Sequence, residues 1–185
     1  MNIMNFHQIQ QLQSAQQAGP VSKEDFCNGM RNLAGHCVVI AANDGQCRAG
    51  LTATAVCSVT AEPPRLLVCV NRDVFAHGVI TRSGRLSINV LGASQEQVAR
   101  RFAGMIPGVS GGERFVDGDW REGCNGTPIL AEALAVFDCS VVEIIPAATH
   151  DLFLCEVQDV KGTLDQAEPL LYFAGKFAAI PSHSH

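Results

Sequence analysis

The chain has 185 residues, about one domain by the usual range of roughly 100–200 residues. Its 47% hydrophobic content marks a folded globular protein, long enough to bury a core without disulfide or metal support. A formal net charge of −5, with no basic run longer than two residues, argues against nucleic acid as a partner.

The first 20 residues are Gln-rich and read as a mobile N-terminal arm ending at Gly19-Pro20. They lack the charged and apolar regions of a secretory leader, and no later stretch approaches the roughly 20 apolar residues of a membrane span. A cytoplasmic protein with no membrane partner is expected. Ser22 then caps a helix whose Phe26, Met30 and Leu33 share one face. His36–Ala42 is an apolar strand, and Asn43-Asp44-Gly45 signals a hairpin turn. Leu51–Thr60 reads as the return strand, ended by Glu62-Pro63-Pro64, and Arg65–Val70 as the next. Val74–Arg82 is a short helix closed by Gly84. Arg85–Leu91 alternates as a strand, and Ser94, with Gln97 three residues on, starts a helix carrying Val98 and Phe102. Residues 104–128 are glycine-rich and loop-like. Ala133–Ile145, Asp151–Val160 and Leu170–Phe177 are the remaining strands, and residues 179–185 form a tail.

Six or seven strands with few short helices disfavour a doubly wound parallel sheet. A mainly β fold follows: an antiparallel barrel with flanking short helices. Residues 21–178 make its single domain.

Several chemistries lack their motifs. No GxGxxG follows a strand, no GxxxxGK[ST] occurs, and neither HExxH nor GxSxG is present. The eight cysteines, at 27, 37, 47, 57, 69, 124, 139 and 155, form no CxxC pair and mostly sit in apolar runs. They read as reduced core thiols, and no metal site is expected.

What remains is the segment Thr52-Ala53-Thr54-Ala55-Val56-Cys57-Ser58-Val59-Thr60. Small side chains at its start let a flat ring approach the backbone, and the hydroxyls of Ser58 and Thr60 suit phosphate oxygens. With its surroundings, GLTATAVCSVTAEPPRLLVCVNR followed by GRLSINVLGASQEQVARRFAG, it resembles the flavin reductases with an FMN-binding split barrel. These are the short-chain reductases of two-component monooxygenases. The resemblance extends from Phe26 to Phe177 and takes in Ala148-Thr149-His150 and Leu170-Leu171-Tyr172-Phe173.

The resemblance implies a six-stranded antiparallel Greek-key split β-barrel that binds FMN or FAD and pairs as a homodimer. Leu51, Thr52, Ala53 and Thr54 then line the isoalloxazine, and Ser58, Val59 and Thr60 hold the ribityl-phosphate. Asn71 and Arg72 approach the phosphate, Arg72 bringing charge. Arg101 and Phe102 cover the phosphate or adenine side. His150 faces the nicotinamide pocket, in a triplet whose first residue is Ala148 where the family has glycine. Gly175-Lys176-Phe177-Ala178 departs from the family's G-[KR]-Y-H. The Tyr hydroxyl and the His are missing, which leaves Phe177 as a stacking group.

The activity implied is NADH- or NADPH-dependent reduction of a flavin that is passed to a separate oxygenase. Two other readings stand beside it. One is a flavin-containing reductase of another acceptor, such as a cobalt corrinoid; the other is a non-catalytic flavin-binding module.

Overall fold

The computed structural model describes residues 19–162 and 168–180. Most of the expected N-terminal arm and of the C-terminal tail therefore lies outside the described residues. The chain divides between Leu33 and Ala34 into two units, a boundary 13 residues beyond the one expected after residue 20. The first unit holds helix α1 (Lys23–Met30), where Ser22 Oγ accepts the Asp25 N–H at 3.0 Å. The predicted cap is in place, one helical turn ahead of an amphipathic face.

The second unit carries the strands. In chain order they are β1 (Gly35–His36), β2 (Val38–Asn43), β3 (Arg48–Ala53), β4 (Val56–Ala61) and β5 (Pro64–Asn71). Helix α2 (Phe75–Ser83), β6 (Arg85–Val90) and helix α3 (Glu96–Phe102) follow. The hairpin β7 (Trp120–Glu122) and β8 (Pro128–Leu130) precedes two long strands, β9 (Ala135–Ala147) and β10 (His150–Gly162). β11 (Leu170–Phe173) and β12 (Lys176–Ala179) end the described chain.

Seven strands form the main antiparallel sheet in the order β3-β2-β6-β9-β10-β5-β4. That is one more than the expected six, and the reason lies in Leu51–Thr60. The sequence reads this segment as one strand. The structure breaks it at Thr54-Ala55, so that β3 pairs with β2 while β4 pairs with β5. Two strands consecutive in the chain thus occupy opposite margins of the sheet. The wall curls to bring those margins close, and no ladder closes the seam between them. The barrel is mainly β and split, as expected.

β2 is a continuous apolar run because both its faces are covered. Val38 and Ile40 point into the barrel with Val68, Val70, Ile88 and Phe153, under Val79 and Ile80 of α2. Val39 and Ala41 point outward, beneath Leu91, Phe102, Phe115 and Leu130.

Local endings follow the sequence with three exceptions. Gly84 closes α2 at φ +63°, the left-handed cap that glycine favours. Asn43–Cys47 turns as expected, with the Asp44 carboxylate accepting N–H groups from Cys47 and Gln46 and the Arg82 guanidinium. Those bonds, the Cys47 amide foremost, hold the Asp44 carboxyl down to about 2. The first exception is α3. It starts through a 3₁₀ turn over Ala93–Gln95, where the Gln95 side chain accepts the Gly92 N–H at 2.8 Å, so Ser94 is not the cap. The second is Leu170–Phe177, which is two strands joined by Ala174 and Gly175, both at positive φ. The third is the long loop, which contains a 3₁₀ turn (Gly111–Phe115) and the β7–β8 hairpin. That hairpin hangs from buried Asp138 of β9. Its carboxylate accepts bonds from Thr127 Oγ1 at 2.8 Å, the Asn125 amide at 3.0 Å and the Cys124 thiol at 3.2 Å.

All eight cysteines are unpaired, but only Cys37, Cys139 and Cys155 are buried. Desolvation pushes the Cys37 thiol up to about 11 and the Cys155 thiol to about 12. Cys27, Cys57 and Cys124 are exposed, so these three are not the core thiols expected.

Candidate active site

The seam between β3 and β4 opens into a cleft of about 300 Å³. That volume lies at the lower end of small-molecule sites, roughly 300–1,000 Å³. One wall is Leu51, Thr52 and Ala53, the end of β3, with Thr54 and Ala55 beyond it. The opposite wall is Tyr172 of β11 and Phe177 of β12, an edge-to-face pair with ring centroids 5.3 Å apart. The Arg100 guanidinium stands over the Phe177 ring at 5.2 Å. Asn71 and Cys69 reach the cleft from β5, and His150 from the start of β10.

The backbone explains this convergence. β5 and β10 pair with His150 opposite Asn71, so both side chains fall on one face. His150 follows the tight turn from β9, at which Ala148 takes φ +52°. An L-residue there costs roughly 1–2 kcal/mol, part of which glycine regains and part of which it loses through its freer unfolded chain. Ala148→Gly is therefore expected to raise the unfolding free energy by about 0.5–1 kcal/mol, read from urea denaturation midpoints.

Thr149 Oγ1 lies 2.9 Å from His150 Nδ1. This bond engages one ring nitrogen and leaves Nε2 for the cleft. Thr149 braces the His150 ring from outside the cleft lining, a contact that the sequence reading missed. Cys37, Cys69, Ala103, Met105 and Tyr172 line the cleft without having been singled out in the sequence. Cys69 was open to inference, since it precedes Asn71 by two residues on a strand and shares its face.

Of the residues singled out in the sequence, Leu51, Thr52, Ala53, Thr54, Asn71, His150 and Phe177 meet here. Thr52 contributes through its backbone, because its hydroxyl donates to Ala99 O at 2.7 Å. The rest do not meet. Ser58, Val59 and Thr60 of β4 are exposed and outside the cleft lining, with Thr60 Oγ1 engaged in the Glu62 turn. The Arg72 guanidinium donates from Nε and Nη2 to Asp151 Oδ1 at 2.8 and 2.6 Å. His77 Nε2 sits 2.8 Å from the other oxygen of the same carboxylate. Arg72 first and His77 after it hold the Asp151 carboxyl below its ordinary range. The charge of Arg72 braces the turn beside Asn71, and Arg72 is not among the residues lining this cleft. Arg101 is likewise taken, by Asp117 at 2.6 Å. Phe102 is 1% exposed and packed on Phe115 and Trp120; it does not line this cleft but borders the neighbouring one, of about 560 Å³.

The cleft suits a flat ring. Ala53, Ala55 and Ala103 offer little side-chain bulk, and the facing aromatic pair supplies a stacking surface. Comparison with known proteins decides the family. The profile of the flavin reductase like domain matches residues 30–181. The chain belongs to the flavin reductase like family. It is 41% identical to the 4-hydroxyphenylacetate 3-monooxygenase reductase component of Pseudomonas aeruginosa, over 91% of this chain and 94% of that one. It is 38% identical to the FMN reductase (NADH) RutF of Stutzerimonas stutzeri, over 91% and 95% of the two chains. Among solved structures, the Streptomyces globisporus NADH:FAD oxidoreductase SgcE6 aligns with a TM-score of 0.78 and 28% identity, covering 90% of this chain and 98% of that one. Membership extends over nearly the whole second unit.

Proposed function

We propose that this flavin reductase oxidises NADH, reduces a flavin in the seam cleft and passes the reduced flavin to a separate oxygenase. The observation that carries the reading is the meeting of Leu51–Thr54, Asn71, His150 and Phe177, from four distant segments, around one cleft shaped for a flat ring. The names of the relatives, an NADH-linked FMN reductase and the reductase component of a monooxygenase, support the same activity.

The end of β3 holds the ring, largely through main-chain groups. Tyr172 and Phe177 exclude water from the opposite side. His150, fixed by Thr149, presents Nε2 to orient the nicotinamide. Bound there, a flavin supplies acceptance of a hydride from NADH. The chain's own share is geometry, holding the reacting rings face to face.

A homodimer belongs to this reading. Val142, Ile144 and Ile145 of β9 and Val160 of β10 are exposed apolar side chains, and Ile145 and Ile144 lie on opposite faces of the strand, apolar area that favours a second copy. Ile145 shares a row and a face with Leu152 and cleft-lining Cys69, so a partner resting on it adjoins the site. A cytoplasmic setting also belongs to the reading, since eight unpaired thiols suit a reducing compartment.

The test is steady-state oxidation of NADH and NADPH by the purified protein with FMN, FAD or riboflavin. Oxidation of NADH that saturates with added flavin is the expected result. Flavin binding without oxidation would leave a binding module instead, and oxidation that requires a corrinoid would move the acceptor.

A further inference from the structure

The buried row of β10 begins with a residue that its pattern does not call for. Asp151, Phe153 and Cys155 are buried in alternation, while His150, Leu152 and Leu154 fall on the other face. Phe153 and Cys155 belong to the barrel core, as does Val70, the residue paired with Asp151. An apolar side chain is the ordinary occupant of such a position, and a carboxylate stands there instead, 7% exposed. Both of its oxygens are engaged. Oδ1 accepts from Arg72 Nε and Nη2 at 2.8 and 2.6 Å, and Oδ2 meets His77 Nε2 at 2.8 Å. The His77 ring is itself set edge-on to Phe153, with centroids 5.4 Å apart.

A buried ion pair often adds little net stability over apolar side chains of similar volume, because desolvation offsets the attraction. Stability alone therefore does not account for the group at 151. Its contacts join three segments: Arg72 lies in the turn after β5, His77 on α2, and Asp151 at the start of β10. The first and last are tied a second time, since the Arg72 N–H donates to Thr149 O at 3.0 Å. On one side of this clasp stands Asn71, whose Oδ1 is fixed by the Asp73 N–H at 2.9 Å. On the other stands Thr149, whose hydroxyl meets His150 Nδ1 at 2.9 Å. The two polar side chains that reach the cleft from β5 and β10 are thus flanked by bonds that lead back to one carboxylate.

We propose that Asp151 is a positioning residue of the reductase, which holds Asn71 and His150 at their cleft-facing angles through Arg72, His77 and the Thr149 turn. It is not among the residues lining the cleft and acts only through the segments it clasps. The inference rests on the flavin reductase reading for what His150 and Asn71 do, and goes beyond it in naming the group that aims them. It also explains why the arginine next to Asn71 is matched to a carboxylate 79 residues along the chain.

Two measurements on the whole protein test this. The first needs no substrate. Side-chain nitrogen NMR spectra of the flavin-free protein report which ring nitrogen of His150 carries the proton, its signals being assigned by their loss in His150→Ala. In Asp151→Ala those signals are expected to move toward the averaged values of a free imidazole. The second is kinetic. Asp151→Ala is expected to lower kcat for NADH oxidation about tenfold with flavin affinity nearly unchanged, as a small misplacement of a positioning group does. In the His150→Ala background the same substitution is expected to cost less than about threefold, because a residue that acts through His150 has only Asn71 left to act on. A residue that merely stabilised the fold would cost the same in both backgrounds. Asp151→Asn keeps the shape and one acceptor oxygen for Arg72, and serves if thermal melting shows the alanine variant unfolded. It is expected to fall between wild type and alanine in both measurements. Unchanged His150 signals, full kcat in the Asp151 variants, or equal losses in the two backgrounds overturns the assignment. Absence of NADH oxidation by the wild type would instead sink the reductase reading, and the nitrogen spectra would still decide whether Asp151 aims the ring.

Discussion

Replacing His150 with alanine is expected to lower kcat/KM for NADH by about ten- to a hundredfold, within the range that loss of a positioning contact produces. The side chain stands in the cleft, its Nδ1 met by Thr149 at 2.9 Å, so its Nε2 direction is set before any substrate arrives. Loss of that group leaves the nicotinamide free to tilt against the flavin. Most of the cost then falls on hydride transfer and less on flavin affinity, because the wall that holds the ring belongs to β3. Steady-state kinetics with each substrate varied, alongside fluorescence titration of flavin, separates the two. His150→Gln keeps a donor of similar reach and is expected to retain more activity than the alanine variant. Full activity in His150→Ala would remove the residue from the site.

Phe102→Ala is expected to cost about 3–5 kcal/mol of folding stability, the loss typical of a buried aromatic in a packed core. The ring is 1% exposed and lies 4.9 Å from Phe115 and 5.2 Å from Trp120, centroid to centroid. It also fills the space left by Gly50. A Cβ built on Gly50 would come within 2.7 Å of the ring, so the two positions are fitted to each other. Urea denaturation measures the loss. A drop below about 1 kcal/mol, together with weakened flavin binding, would return the ring to the cofactor side.

These two residues illustrate how far the sequence is legible. His150 and Asn71 are recognisable in order along the chain, and pairing of β5 with β10 then places them side by side. The wall Leu51–Thr54 is legible for the same reason, since its small side chains stand on a strand that reaches the seam. Arg72 and Arg101 are not legible. Their charges are claimed by Asp151 and Asp117, which lie 79 and 16 residues along the chain, and nothing local to either arginine announces the partner. Phe102 has the periodicity of a core residue and of a cofactor cover alike; only packing against Phe115 decides. The division of Leu51–Thr60 is hidden because Thr54 and Ala55 carry no turn residue. The break in Leu170–Phe177 is half hidden. Gly175 allows it, while Ala174 adopts a left-handed backbone that alanine seldom takes.

The seam between β3 and β4 bears on turnover. A ligand enclosed by a complete ladder leaves only when strands unzip, and each broken backbone bond adds to the barrier. Here the wall is interrupted at the cleft proposed for the ring, and the chain crosses the gap as Thr54-Ala55. Arrival and departure of a flat molecule therefore break no rung of the sheet. A carrier that must load oxidised and unload reduced cargo on every cycle is served by such a doorway: affinity is set by stacking and main-chain contacts, and exchange proceeds without opening the barrel.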